Sequence, residues 1–252
     1  MNIFKTAPAV LAVASEIKKY NANVAKFEEL RSEGKDEEER DFILKCTSEF
    51  ADSLSKKLKV HYEVIGEENI PEKGPLMIYS NHQSFADILA IFAVFRKFQV
   101  GFVAKDEWRS WKSLARAIEY TRSIFLVRGG GRQALAALSE AEDYLARGFS
   151  LTIFPEGTRS QKSEVGEFKH GAFKFAQKGN VPILPISLDG GYKLFEIDHS
   201  YHKDVTIRVN VHPLVHIEEM SKAEQKEAFC RIEQSIRDGV EDLVSIDEKT
   251  RH

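Results

Sequence analysis

A histidine and an aspartate lie five residues apart in the segment SNHQSFADILA (80–90), where a polar stretch runs directly into an apolar one. The apolar run extends from Phe85 to Phe95 and holds Asp87 within it. Burying a charge is unfavourable unless the charge has a partner. His82 is the nearest candidate along the chain, so the segment indicates a His82–Asp87 pair.

The placement of the helix decides whether these two side chains can meet. On one continuous helix they would point roughly 140° apart. If His82 precedes the helix and Asp87 lies in its first turns, the imidazole folds back onto the carboxylate. The free ring nitrogen then serves as a general base that the carboxylate orients, and Ser84 caps the helix. A satisfied loop histidine beside a helix-start aspartate is the alternative.

A second polar group follows a strand-like run in FPEGTRS (154–160). Pro155 and Gly157 set a tight loop that displays Glu156 and Arg159. An arginine suits bidentate recognition of phosphate, and Glu156 either orients that arginine or hydrogen-bonds a substrate hydroxyl. Taken alone, the motif also fits a surface turn with an ion pair.

Two further segments carry weaker signals. In IFLVRGGGRQAL (124–135), Arg128 and three glycines precede a helix, which favours a phosphate bound mainly by Arg128. A nucleotide loop is disfavoured because no Gly-Lys-Ser/Thr follows. In VPILPIS (181–187), two prolines within a strand-like run indicate an edge strand or a bend, and we interpret this segment as structural.

The elements that must position these groups alternate between strand and helix from residue 58 onward. Strands are predicted in 59–66, 76–80, 99–104, 123–128, 149–154, 181–190 and 204–216, and helices in 84–96, 110–120, 132–148, 170–179 and 221–244. This alternation predicts an α/β layered domain with a largely parallel or mixed sheet flanked by helices. Functional groups then collect where strands end. Ser221 and Glu224 form a capping box.

The first 57 residues differ from the rest because their apolar positions recur at helical spacing. We predict one helix over 7–31 and a second over 36–57, which together form an N-terminal helical hairpin. The apolar positions of the first helix are Val10, Val13, Ile17, Tyr20, Val24, Phe27 and Leu30, with Lys18, Lys19 and Lys26 between them. The chain is thereby divided into residues 1–57 and an α/β domain over 58–252.

Composition excludes several classes of function. A net charge of −3 over 252 residues does not favour a nucleic-acid partner. The two cysteines, Cys46 and Cys230, lack the spacing of a zinc site or a disulfide framework, which indicates a reducing compartment. No apolar run approaches the roughly 18 residues that span a bilayer. We interpret the apolar start of the chain as an uncleaved amphipathic segment rather than a signal peptide.

In this order, the four motifs resemble the conserved blocks of the glycerolipid acyltransferase family, and within it the bacterial 1-acyl-sn-glycerol-3-phosphate acyltransferases. NHQSFAD (81–87) matches the NHxSxxD block, and FPEGTRS matches the third block at every position. VPILPIS matches the fourth block, whereas the second is matched only in Arg128. The resemblance covers about residues 58–216.

The resemblance implies an acyl transfer from a coenzyme A or acyl carrier protein thioester to the 2-hydroxyl of lysophosphatidic acid, giving phosphatidic acid. His82 would remove the hydroxyl proton and Asp87 would hold the imidazole, with no covalent intermediate, metal or bound cofactor. The implied substrate-binding residues are Lys105, Arg128, Glu156, Gly157, Thr158 and Arg159. Val127 stands where the family often has a polar residue, which leaves glycerol 3-phosphate or another lysophospholipid open as the acceptor.

The resemblance also implies that residues 1–57 are a membrane-association motif on the cytoplasmic face of the cell membrane. A lysine-rich amphipathic helix suits the interface of an anionic membrane, while packing on the domain's own core is the alternative. Two rival functions remain open. One is an acyl hydrolase with Ser84 as the nucleophile, and the other is a non-enzymatic peripheral protein that binds anionic lipid.

Overall fold

The computed structural model describes residues 3–127 and 131–250 of the chain. The strands are β1 (Val60–Ile65), β2 (Met77–Ser80), β3 (Val100–Lys105), β4 (Ile124–Leu126), β5 (Ser150–Ile153), β6 (Ile183–Asp189) and β7 (Val205–Val211). The α-helices are α1 (Ile3–Asn21), α2 (Val24–Ser32), α3 (Asp36–Leu58), α4 (Ala86–Val94), α5 (Lys112–Tyr120), α6 (Gly131–Ala146), α7 (Lys174–Gly179) and α8 (Lys222–Thr250). In these residues the seven strands form one sheet in the order β1-β7-β6-β2-β5-β3-β4.

The sheet is mixed, which confirms the predicted α/β layered fold. Neighbouring strands are parallel except β6 and β7, which are antiparallel. Parallel neighbours need a long crossover, usually a helix. The connection from β6 to β7 holds only a short 3-10 helix, Gly191–Leu194, so β7 returns beside β6 in the opposite direction.

The central strands are apolar on both sides because each face of the sheet packs against helices. Successive residues of β2 alternate between the two layers, as the period of a strand requires. Ile78 packs in the layer that includes Leu89 of α4, whereas Tyr79 packs in the layer that includes Ile232 of α8. Every residue of β2, β5 and β6 is buried.

The expectation that the prolines of 181–187 mark an edge or a bend is wrong for Pro185. This residue lies inside β6, where it is in register with Tyr79 of β2. Pairing of β6 with β7 begins only at Ile186, opposite Val211, so the missing N–H of the proline interrupts no ladder hydrogen bond on that side. Its carbonyl accepts a hydrogen bond from the backbone N–H of His212.

The predicted single helix over 7–31 is also wrong, because α1 ends at Asn21 and α2 begins at Val24. The Asn23 side chain donates to the backbone carbonyls of Lys19 and Tyr20 at 3.4 and 3.3 Å. Asparagine disfavours helix interiors because its side chain competes for backbone groups in this way. The apolar periodicity continues through the break, which is why it predicted one helix.

The N-terminal helices pack on the α/β domain through their apolar side. Tyr20, Phe27 and Ile43 form a buried cluster with Phe149, which precedes β5. The Phe27 ring also stacks on the Tyr120 ring of α5 with centroids 5.4 Å apart. None of the described helices is both long and apolar enough to span a bilayer.

A buried ion pair joins α3 to the turn between α5 and β4. Glu39 is fully buried and accepts two hydrogen bonds from the Arg122 guanidinium, at 2.9 and 2.5 Å. It also accepts one from Arg31 of α2 at 2.6 Å. The helices and the sheet domain therefore share a charged core contact as well as an apolar one.

The direction of the strands decides where polar loops meet. Strands β2, β3, β5 and β6 run parallel to one another, so their carboxyl ends share one edge of the sheet. The loops after Ser80, Lys105, Ile153 and Asp189 consequently lie along the same edge. This is the edge at which open α/β sheets bind their ligands.

We expect Glu39→Ala to lower the free energy of unfolding by about 3–5 kcal/mol, since it leaves the buried Arg122 without its partner. Urea unfolding measures the change in the free energy of unfolding, provided that the m value is the same for both proteins. The matched control is Glu49→Ala, which removes an exposed carboxylate from the same helix and should change stability by less than about 0.5 kcal/mol. Equal effects of the two variants would contradict a structural role for the pair.

Candidate active site

His82 and Asp87 form a hydrogen-bonded pair at the carboxyl end of β2. His82 lies in the extended segment before α4, and Asp87 lies in the first turn of that helix. The Nδ1–H of the imidazole donates to Asp87 Oδ2 over 2.8 Å. The same oxygen accepts the backbone N–H groups of Gln83 and Ser84 at 2.7 and 2.9 Å. The pair has the folded-back geometry expected for a histidine ahead of the helix.

The imidazole is held so that its second nitrogen remains available. Its ring stacks on the Phe154 ring with centroids 4.0 Å apart and planes at 14°. The His82 side chain is 15% exposed, whereas Asp87 is fully buried. Since Nδ1 is occupied by Asp87, Nε2 is the nitrogen that can accept a proton from a bound molecule.

Glu156 fixes the backbone of His82 rather than orienting Arg159. Its Oε1 accepts the His82 N–H at 2.7 Å, and its Oε2 accepts the Gly166 N–H at 2.8 Å. The backbone N–H of Ser160 in turn donates to the His82 carbonyl at 2.8 Å. Burial raises the pKa of Glu156, and the two backbone N–H groups oppose this shift. Of the two predicted roles of Glu156, the contact with Arg159 is wrong, because both oxygens accept backbone N–H groups. A hydrogen bond to a substrate hydroxyl stays a prediction.

Arg159 is paired instead with Glu196, a residue of the connection between β6 and β7. Arg159 Nη1 lies 3.1 Å from Glu196 Oε1, and its Cζ lies 3.8 Å from the centroid of the Phe85 ring. The other Glu196 oxygen accepts a hydrogen bond from Ser84 Oγ at 2.9 Å. Burial raises the pKa of Glu196, while the Ser84 hydroxyl and the Arg159 charge lower it.

The other predicted substrate-binding residues lie at different places relative to His82 and Arg159. Gly157 closes a turn by donating to the Phe154 carbonyl, and its φ of 65° lies in the region that favours glycine. Thr158 in the same loop is exposed. Lys105 is the last residue of β3 and so lies at the same edge of the sheet. Arg128 lies outside the described residues.

Two amide side chains that the sequence did not single out anchor the histidine loop to β6. Asn81 donates to the Leu188 carbonyl and accepts the Leu188 N–H, both at 2.8 Å. Gln83 donates to Asp189 at 2.9 Å and accepts the Gly190 N–H at 3.1 Å. The sequence signals were their position beside His82 and, for Asn81, its place in the NHxSxxD block. Their partners lie about a hundred residues away. Glu196 carried no signal at all.

One cluster of possible metal ligands lies among the described residues, after β7. His216, Glu218 and Glu219 bring possible ligand atoms within 4.8 Å of one another. They follow β7 rather than the strands whose loops hold His82 and Arg159, and His216 is already hydrogen-bonded to Glu218. Exposed acidic groups of this kind commonly hold no metal.

The second oxygen of Asp87 lies against the backbone of the loop after β6. Oδ1 is buried and has no hydrogen-bond partner among the described residues. A Cβ atom built on Gly191 would lie 2.6 Å from this oxygen. A glycine at position 191 therefore allows the close approach of this loop to the carboxylate.

We expect Gly191→Ala to destabilise the protein by about 1–3 kcal/mol, because the added methyl group overpacks a buried contact. Urea unfolding of this variant in wild-type and Asp87→Ala backgrounds tests the cause. A collision with Asp87 predicts a smaller loss in the Asp87→Ala background. If the two losses were equal, the methyl group would be colliding with something else.

The sequence profile of the acyltransferase family, described as Acyltransferase, matches residues 61–189. This stretch is just over half of the chain and contains the His82–Asp87 pair and the FPEGTRS loop. The probable 1-acyl-sn-glycerol-3-phosphate acyltransferase of Mycoplasma pneumoniae is 34% identical over 132 residues, which cover 50% of this chain and 48% of that protein. The chain thus spans about half the length of this relative.

Longer matches extend the similarity to most of the chain. The 1-acyl-sn-glycerol-3-phosphate acyltransferase of Pseudomonas aeruginosa is 28% identical over 213 residues, covering 84% of this chain and 81% of that protein. The crystal structure of the 1-acyl-sn-glycerophosphate acyltransferase PlsC from Thermotoga maritima aligns over 96% of this chain and 95% of that one, with a TM-score of 0.77 and 28% identity. The profile match over residues 61–189 shows that the chain belongs to the acyltransferase family.

Proposed function

We propose that the protein transfers a fatty acyl group from a thioester to the sn-2 hydroxyl of lysophosphatidic acid, giving phosphatidic acid. The observation that carries this proposal is the Asp87-held imidazole of His82, whose Nε2 is available, beside a loop that presents Arg159. A base and a cation at one sheet edge suit an acceptor that has both a hydroxyl and a phosphate. The names of the similar proteins support the same acceptor.

In the proposed reaction His82 Nε2 takes the proton from the acceptor hydroxyl as its oxygen attacks the thioester carbonyl carbon. The carbon–sulfur bond then breaks, and the imidazolium returns its proton to the leaving thiolate. Asp87 stabilises the imidazolium and keeps Nδ1 protonated throughout. The products are the new ester and a free thiol of coenzyme A or acyl carrier protein, so neither a covalent acyl-enzyme nor a bound cofactor is required.

The acceptor phosphate is assigned to Arg159, whose side chain is 28% exposed. Lys105 lies at the same edge of the sheet, and Arg128 belongs to the same proposed set. Glu156 holds the backbone of His82, and a carboxylate oxygen that accepts one N–H can still accept a hydroxyl of the acceptor. Glycerol 3-phosphate and other lysophospholipids share the phosphate and a free hydroxyl, and an acceptor panel separates them.

The geometry disfavours Ser84 as the nucleophile of a hydrolase. A serine nucleophile needs a base within hydrogen-bond reach. Ser84 is fully buried; its hydroxyl donates to Glu196 and accepts the Ala86 N–H at 3.1 Å. The Ser84 hydroxyl proton is thus directed to Glu196 and not to Nε2 of His82. We therefore expect no acyl-serine in intact-mass spectra after incubation with the donor.

We expect His82→Ala to lower kcat for acceptor-dependent thiol release by about 10²–10⁴-fold, because a positioned general base contributes that much. The assay follows thiol release from acyl-coenzyme A with lysophosphatidic acid in detergent micelles. The matched control is His202→Ala, which removes the imidazole of an exposed histidine hydrogen-bonded to Asp198 and should leave kcat unchanged.

Other outcomes of this assay point to the rival functions. Thiol release that needs no acceptor would indicate a hydrolase. If no thiol is released from coenzyme A thioesters, acyl carrier protein thioesters and the acceptor panel are tested next. No thiol release with any donor or acceptor would favour a protein that binds lipid without transferring an acyl group.

The N-terminal helices are proposed to place the protein on the cytoplasmic face of an anionic membrane. Their inner side packs on the domain, but Val10 and Leu11 of α1 are exposed, with Leu11 69% accessible. Lys18 and Lys19 at the end of the same helix are exposed as well. Exposed apolar residues near lysines on one helix suit insertion into an anionic interface, from which a lipid acceptor can enter the site directly.

We expect Leu11→Asp to weaken binding to phosphatidylglycerol vesicles by about tenfold or more, because a leucine side chain gains about 1.5–3 kcal/mol on burial. Vesicle flotation measures the bound fraction. The control is Ile65→Asp, which alters an exposed apolar residue at the end of β1. Because β1 runs antiparallel to β6, Ile65 lies at the edge of the sheet opposite the one that holds His82. Equal losses from both substitutions would contradict a role for α1 in membrane binding.

A further inference from the structure

Glu196 is a buried carboxylate that lies outside all four sequence motifs. It follows β6 in the connection to β7, and its side chain is 5% exposed. Its two oxygens face different loops. Oε2 accepts the Ser84 hydroxyl from the histidine loop, and Oε1 accepts Arg159 Nη1 from the FPEGTRS loop. A single side chain thus bridges the loop of the proposed base and the loop of the proposed phosphate ligand.

The Arg159 guanidinium is fixed on two sides. Glu196 holds one corner through Nη1, and the Phe85 ring covers one face at 3.8 Å. Phe85 is itself held edge-on by the Trp108 ring, with centroids 5.3 Å apart. The Nε and Nη2 groups of Arg159 have no hydrogen-bond partner within residues 3–127 and 131–250. Two parallel N–H groups are what an arginine offers to two oxygens of a phosphate.

Three hydrogen bonds, connected through the Ser84 and Glu196 side chains, join this guanidinium to the Asp87 carboxylate. Asp87 Oδ2 accepts the Ser84 N–H at 2.9 Å, Ser84 Oγ donates to Glu196 at 2.9 Å, and Glu196 accepts from Arg159 at 3.1 Å. Each link is a contact between named atoms of buried or half-buried groups. The separation between the His82 imidazole and the Arg159 guanidinium is thereby set within the protein.

From these contacts we infer that Glu196 is a positioning residue for acceptor recognition, which holds Arg159 at a fixed reach from His82 so that phosphate and hydroxyl bind together. The inference rests on the proposed function and deepens it. Glu196 uses only one nitrogen of the guanidinium, so a phosphate can bind the remaining edge while the pair stays intact. Removing Glu196 therefore weakens acceptor binding rather than freeing Arg159 to bind more tightly.

Substitutions at position 196 separate the effect of the hydrogen bonds made by Glu196 from the effect of its negative charge. A glutamine at 196 can accept from Arg159 through its carbonyl oxygen and donate to Ser84 through its amide, since a serine hydroxyl also accepts. Glu196→Gln therefore keeps the hydrogen bonds to Arg159 and Ser84 but removes the negative charge, whereas Glu196→Ala removes both hydrogen bonds. A positioning role predicts that the glutamine variant retains most of the acceptor affinity that the alanine variant loses.

The test compares the kinetics of the full chain in detergent micelles with lysophosphatidic acid and acyl-coenzyme A varied separately. For Glu196→Ala we expect the acceptor KM to rise about tenfold, in line with the loss of charge-assisted hydrogen bonds that hold the ligand's partner. The donor KM and kcat should stay within about twofold of wild type, since the proposed mechanism assigns Arg159 to the acceptor phosphate and not to the donor or the proton transfer. Glu196→Gln should lie near wild type.

The matched control is Glu142→Ala. It removes a carboxylate that is likewise paired with a basic side chain, Lys178, but on the exposed surface of α6. This variant should leave every kinetic parameter unchanged. A thermal midpoint for each variant then separates loss of fold from loss of acceptor affinity.

A second measurement keeps this inference distinct from the proposed function. Calorimetry in the inactive His82→Ala background gives the Kd for lysophosphatidic acid without turnover. A Kd that rises about tenfold on adding Glu196→Ala supports the positioning role even if wild type transfers no acyl group, in which case only the proposed function fails. An unchanged or tighter Kd, or equal rises in donor and acceptor KM, would overturn the inference while an active wild type retains the proposed function.

Discussion

The buried carboxylate of Asp87 is the constraint on which the candidate site depends. A charge removed from water must be satisfied by nearby donors. Its Oδ2 accepts three N–H groups, one from the His82 ring and two from the backbone of the following residues. Satisfying that oxygen wraps the loop around the carboxylate and fixes the imidazole. The other oxygen faces Gly191, where the absence of a side chain permits the contact.

Two further buried carboxylates extend this arrangement outward from the base. Glu156 holds the backbone of His82 against the loop after β5, and Glu196 holds Arg159 against the loop after β2. Each uses both oxygens, and each joins segments that are distant in sequence but adjacent at the carboxyl edge of the parallel strands. The donors around these acids offset the cost of burying them, and the same contacts set the geometry of the site.

The N-terminal helices are part of this folded unit rather than an independent attachment. Phe27 and Tyr20 pack against the domain, and Glu39 places a charge in the interface that Arg122 and Arg31 satisfy. Removing one partner of such a pair destabilises more than removing an exposed charge. The proposed membrane contact would therefore use the outer side of α1, where Leu11 is exposed.

The sequence by itself determined the features that arise from local periodicity and local chemistry. The alternation of strands and helices follows from side-chain spacing, and the His82–Asp87 pair closes within five residues of one loop. Tertiary structure alone decided the partners of Arg159 and Glu156. Glu196 lies 37 residues from Arg159 and His82 lies 74 from Glu156, and only the strand order brings these loops together. Spacing along a chain carries no information about a contact made across a sheet edge, because parallel strands join segments through crossovers of variable length.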